Sequence, residues 1–196
     1  RYDEAISNKV VVQKLSVHTQ RLHIRNLRSD DLDHFHQYRS NPEVTKYQSF
    51  DVMDKDKCSY FITSQQNKLF GTPGEWVQYA IEDKTSQQLI GDCAIKLDQY
   101  DARLAEIGIT ISHLHQRKGY AKETLTGILN WLFTSQNIHR VTEIVDAENT
   151  GSINLLKSLN FRQEGHFIEN IFFKGKWGSE LQFAMLKREW ETLNKK

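Results

Sequence analysis

Apolar residues repeat with two different periods along this chain, and the point where one period replaces the other is its first landmark. Over 105–112, Ile107, Ile109 and Ile111 alternate with Glu106, Gly108, Thr110 and Ser112, the two-residue period of a strand with one apolar face. Ala121, Leu125, Ile128, Leu129 and Leu132 then recur at helical spacing. A strand therefore passes into a helix through the cationic turn HLHQRKGY. Upstream, Leu22-His23-Ile24-Arg25 alternates as a first strand. Ser29-Asp30-Asp31 then opens a capped, acidic helix with Leu32, Phe35, Tyr38 and Arg39 along one side. Pro42 ends that helix, and a second over 54–64 turns Cys58, Phe61 and Ile62 inward.

Residues 67–75 hold three turn formers and read as a loop, after which Val77, Tyr79 and Ile81 alternate in a strand and Leu89–Leu97 returns. Arg140–Asp146 reads as a further strand, followed by a helix that ends near Asn160. Phe167, Ile168, Ile171, Phe172 and Phe173 form one arm of a closing hairpin, Lys174-Gly175-Lys176 its turn and 181–186 its partner, before a charged terminal helix or tail over 187–196. This order predicts one α/β (α+β) domain: a mixed, mostly antiparallel sheet of about seven strands with helices on both faces. Residues 1–20, with Val10-Val11-Val12, Leu15 and Val17, read as an arm or an extra helix or strand, with 1–9 loosely held. The domain is expected over 21–190 and a tail over 191–196.

Bulk properties narrow the function. The 196 residues fit one domain. With 26 lysines and arginines against 25 acidic residues, no global field draws the chain to nucleic acid or to an anionic membrane. Cys58 and Cys93 fit neither a C-x-x-C pair nor a zinc spacing and read as idle thiols of a reducing compartment. No apolar run reaches the ~18 residues of a membrane span and no signal-peptide core is seen, so a cytoplasmic protein is expected. His34 and His36, like His113 and His115, lie close together without a third donor, so no metal is expected. Trp76, Trp131 and Trp177 read as core or pocket wall.

The turn itself carries the candidate chemistry. Gly119 permits close approach to the backbone, the free amides of 117–121 open the helix, and Arg117 and Lys118 add positive charge, which together make a seat for a pyrophosphate. Neither G-x-G-x-x-G nor G-x-x-x-x-G-K-[ST] is present. What stands there is Gln116-Arg117-Lys118-Gly119-Tyr120-Ala121, with Glu123 one turn on. This Q-x-x-G-x-A resembles the acetyl-CoA loop of the GNAT superfamily of N-acetyltransferases. Asn149-Thr150-Gly151-Ser152-Ile153 and LLKSLNF over 155–161 resemble the family's N-x-x-S-I and L-x-K-L-G-F segments, with Asn160 where glycine is usual. Glu164-Gly165-His166 and FFKGKWGSELQFAML resemble the closing hairpin of the ribosomal-protein-alanine N-acetyltransferase branch.

The resemblance implies acetyl-CoA as acyl donor. Its expected contacts are the backbone of Ile109, Thr110 and Ile111, the loop Gln116, Arg117, Lys118, Gly119, Tyr120, Ala121 and Lys122, and Asn149 and Ser152. An amide among 109–111 is the natural oxyanion donor. Glu106, on the strand before the loop, is the candidate base; its alternative is a strand residue paired with a lysine. Glu169 is a second candidate carboxylate. The tyrosine that many members use to protonate the thiolate is Leu156 here; Ser152 is a substitute donor, or only a first-turn residue bonding a backbone amide. At pH 7 a lysine amine loses its proton at a cost of roughly 4.6 kcal/mol and an α-amine at about 1 kcal/mol. A site with no strong base thus suits a protein N-terminal α-amine, acetylated by direct attack in a monomer or homodimer. Two alternatives stay open: a polyamine or aminoglycoside acetyltransferase, with an acidic pocket from Asp30, Asp31, Asp33 and Glu169, or a non-catalytic acyl-CoA-binding module.

Overall fold

The computed structural model describes residues 11–195. An eight-stranded sheet runs β1 (Ser16–His18), β2 (Leu22–Asn26), β3 (Trp76–Asp83), β4 (Leu89–Leu97), β5 (Leu104–Ile111), β6 (Arg140–Asp146), then β8 (Lys176–Leu186) and, at the far edge, β7 (Arg162–Phe173). Neighbours are antiparallel except β5 and β6, which are parallel. The sheet matches the expected mixed sheet of about seven strands; the eighth, β1, lies within residues 1–20 and pairs with β2, burying Val17. Expectations for residues 1–10 lie outside the described residues.

Helices cover both faces. On one, α4 (Tyr120–Ser135) and α5 (Thr150–Ser158) pack Leu125, Leu129, Phe133 and Leu156 against Ile107, Val141 and Phe183. On the other, α1 (Leu32–Arg39) and α3 (Lys55–Gln65) pack Phe35, Tyr38, Cys58 and Ile62 over Ala80 and Leu89. Pro42 ends α1, as expected, but also opens a single turn, α2 (Pro42–Thr45), at the first-turn position where a missing amide proton costs nothing. Asn160 ends the α5 segment with φ 63°, the left-handed geometry that asparagine tolerates.

The closing hairpin is longer than its apolar pattern suggested, since β7 begins at Arg162 rather than Phe167. Its first residues have no apolar face because β7 is an edge strand; they are held instead by the ladder to β8 and by Glu164, which pairs with Arg140 and Arg162. After β8 the chain enters α6 (Lys187–Leu193), which runs across residue 190.

Candidate active site

Backbone geometry at the turn before α4 is unusual in two places. Arg117 has φ 62° and Gly119 φ 80°, ψ 7°, so two left-handed residues flank Lys118. Gly119 adopts this conformation without strain, and a Cβ there would come within 3.4 Å of Arg21 Nη2. Among the described residues, the amides of 116–119 donate to no acceptor, and those of the first helical turn have none by geometry. A cradle of N–H groups at a helix N-terminus, with Arg117 and Lys118 beside it, is chemically suited to a diphosphate.

What holds the cradle was not visible in the sequence. Arg21, from the start of β2, donates from Nε to Glu123 Oε1 at 2.7 Å and from Nη1 to the Lys118 carbonyl at 3.1 Å, and its guanidinium lies 4.3 Å from the Tyr120 ring centroid. Thr19 Oγ1 and the Arg21 amide donate to Glu123 Oε2 at 2.6 and 2.9 Å. Burial acts against the Glu123 carboxylate, but these hydrogen bonds outweigh it and keep the group below its ordinary range. Gln116 turns back, its Nε2 donating to the Ile111 carbonyl at 3.1 Å, which ties the turn to the end of β5.

β5 and β6 pair only from Leu104↔Arg140 to Glu106↔Thr142 and then diverge, each keeping its outer neighbour. Among the described residues, the inner edge of β5 beyond Glu106 has no strand partner. This opening continues into a cleft of about 710 Å³ lined by Glu106, Ile109, Thr110, Asn149 and Ser152, and by residues not singled out earlier, notably Glu143, Phe50 and Glu180. Asn149 caps α5: its Oδ1 accepts from the Ser152 amide at 3.2 Å, while its Nδ2 donates to Ser152 Oγ at 3.0 Å. The Ser152 hydroxyl proton is left to point elsewhere. Ile111 is buried in the core, Ala121 packs against it, and Lys122 lies beside Gly119 in a second groove along α4.

The carboxylates sort differently from expectation. Glu106 is half-buried at the cleft, with Lys96 Nζ 3.3 Å from its Oε2 on the paired strand. Glu169 sits in a β7 bulge with φ 47°, exposed, and does not line the cleft. Nor do Asp30, Asp31 or Asp33: Asp31 is bound by Arg25 and Asp33 by Lys55. The acids that do line it are Asp51, Glu106, Glu143, Asp146 and Glu180. Beneath them Arg39 is bound to Asp92, which also accepts from Tyr38 and Gln78.

Glu143 stands apart. Four acids are buried among the described residues; Asp31 and Glu82 meet Arg25 and Asp92 meets Arg39, whereas Glu143 Oε2 has no hydrogen-bond partner. Burial, and then the charge of Glu106, push its carboxyl up to about 8. A signal was present in the sequence, since Val141, Glu143 and Val145 share one face of β6.

The profile of the acetyltransferase (GNAT) domain family matches residues 21–162. The chain belongs to this family. Over 175 residues it is 33% identical to the uncharacterized N-acetyltransferase p20 of Bacillus licheniformis, covering 89% of this chain and 98% of the relative. Its fold is similar to that of Vibrio cholerae spermidine N-acetyltransferase solved with CoA and spermine, at TM-score 0.74 and 24% identity over 88% of this chain and 99% of the other. It is also similar to a V. cholerae structure provisionally assigned as a ribosomal-protein-serine acetyltransferase, at TM-score 0.73 and 21% identity over 88% and 97%.

This GNAT protein is thus an acetyl-CoA-dependent N-acetyltransferase acting on an amine. Acetyl-CoA supplies an activated acyl carbon. The left-handed cradle at Gly119 and the unpaired edge of β5 fit the diphosphate and the extended arm of such a donor. Among the described residues, no three metal-ligating side chains converge and no helix is long and apolar enough to cross a membrane.

Proposed function

We propose that this N-acetyltransferase acetylates the α-amine at the N-terminus of a polypeptide, by direct attack of the amine on the thioester with Glu106 taking up the amine's proton. The observation that carries this reading is the surface around the cleft. Ile171, 38% exposed, and Phe173 of β7 form an apolar wall of the cleft. An exposed apolar wall inside a site suits an acceptor with residues of its own to bury. The Lys96 pairing points the same way. With its carboxylate engaged by an ammonium, Glu106 suits an α-amine that loses its proton for about 1 kcal/mol at pH 7 better than a lysine that needs roughly 4.6.

A second reading, a polyamine acceptor, is favoured by the acids lining the cleft, which among the described residues number five against the cations Arg39, already bound to Asp92, and Lys57. The fold shared with a spermidine acetyltransferase is in keeping with it. An acceptor panel decides: thiol release from acetyl-CoA with hexapeptides bearing free N-termini, with the same peptides N-blocked but carrying lysine, and with spermidine. Turnover on the free N-termini is expected. Activity confined to spermidine would replace the first reading by the second.

A further inference from the structure

When an amine displaces CoA, the sulfur leaves with an electron pair and needs a proton. The α5 position facing the sheet core here is Leu156, fully buried and apolar, and Ser152, whose Oγ accepts from Asn149, offers only an alcohol proton, far less acidic than that of a carboxyl. We propose that Glu143 is the acid that protonates the departing thiolate, its carboxyl being buried where β5 and β6 diverge with Oε2 unpartnered. It lines the cleft on the strand that borders the opening, one residue beyond the last β5–β6 pair.

The surrounding charges keep its proton in place. The charge of Glu106 on β5, itself paired with Lys96 of β4, acts on it. Asp146 of β6, Glu180 of β8 and Asp51 before α3 add negative charge to the same cleft; Arg39 is bound to Asp92, and Lys57 of α3 is the remaining cation of the lining. With a pKa of about 8 the group is neutral at pH 7. One acid of a neighbouring pair is thus ion-paired and the other protonated, the division of labour a base and an acid require.

The balance closes within the site. The amine nitrogen bonds to the acyl carbon and its proton passes to Glu106. Collapse re-forms the carbonyl and breaks the C–S bond, leaving the electron pair on sulfur. Glu143 gives its proton to that sulfur, releasing amide and thiol; Glu106 then gives up its proton to solvent in the cleft and Glu143 takes one from it, which restores both groups. This inference rests on direct attack, as proposed above, but not on which amine attacks.

The test uses Glu143→Gln in the full chain, with acetyl-CoA and either spermidine or an alanine-initiated hexapeptide, whichever the wild type turns over. Expected is a fall in kcat of about 10²–10⁴-fold, an unchanged KM for acetyl-CoA, an unchanged thermal shift with CoA, and loss of the alkaline limb of the kcat profile. A variant that binds CoA and retains wild-type kcat and alkaline limb overturns the inference. A second measurement stands apart from turnover: in wild-type protein labelled with ¹³C at the glutamate carboxyls, one resonance titrates near pH 8. Its absence overturns the inference even if the variant does not fold. Failure of the wild type on every amine would instead strike the function proposed above, leaving the carboxyl titration to judge Glu143 by itself.

Discussion

Replacing Glu143 by Gln changes how stability depends on pH. In the unfolded chain a glutamate titrates near 4.5; in the fold, burial and then Glu106 hold Glu143 at about 8. The neutral form is therefore the one the fold tolerates. Its contribution is fully present below the unfolded value and is lost as pH rises toward and through the folded one. At about 1.36 kcal/mol per tenfold change in binding, the loss approaches 4–5 kcal/mol at pH 9, of which roughly 2.5 kcal/mol falls between pH 6 and pH 9. Gln has nearly the same shape and no proton to lose. In a protein of this size 1 kcal/mol moves Tm by about 2–4 °C, so the wild-type Tm should fall by about 5–10 °C more than that of the variant across this interval. Thermal melts without ligand, in buffers of matched ionic strength, read this directly. Any pH-independent cost of burying an amide moves both ends of the variant's curve equally. Parallel curves for the two proteins would refute the reasoning, because they would mean that Glu143 ionises as easily folded as unfolded.

Gly119→Val puts a β-branched residue at φ 80°, which costs roughly 1–2 kcal/mol locally, and crowds Arg21; the variant should remain folded while CoA no longer raises its Tm. Glu106→Gln should lower kcat by about 10²–10⁴-fold with KM for acetyl-CoA unchanged; full kcat at every pH would remove Glu106 from the base's role. Asp92→Asn leaves the Arg39 guanidinium, 2% exposed, without its counter-charge. Losing one partner of a buried pair costs about 3–5 kcal/mol, which denaturant unfolding would measure, and a loss below 1 kcal/mol would contradict the pairing.

The elements that sequence made legible are those whose burial is one-sided and long. β5 and α4 each repeat an apolar residue at a fixed spacing over at least two full periods, and Gly119 marks the change between them. β1 offers three residues and a single buried side chain, too few to define a period. The start of β7 is exposed on both faces, so what fixes it there is backbone pairing and the arginines around Glu164, neither of which leaves a periodic trace.

The site divides along the same line between local and distant. The cradle at Gly119 is local, and its residues were readable in order. Arg21, about a hundred positions away, and Lys96, which reaches Glu106 across a strand pair, belong to the site only through the fold. Glu143 is the instructive case, because its anomaly was local: an acid between Val141 and Val145 on one face of a strand. That pattern does not by itself mark chemistry. Asp92 and Glu82 also lie at buried strand positions, and both are answered by arginines drawn from elsewhere in the chain, as most buried charges must be. What separates Glu143 from them is the lack of any such answer among the described residues, and only three-dimensional structure can show that a partner is missing. A buried acid with a cation beside it needs no further account; one without a cation must hold its proton. In a cleft that binds a thioester, a held proton has a place to go.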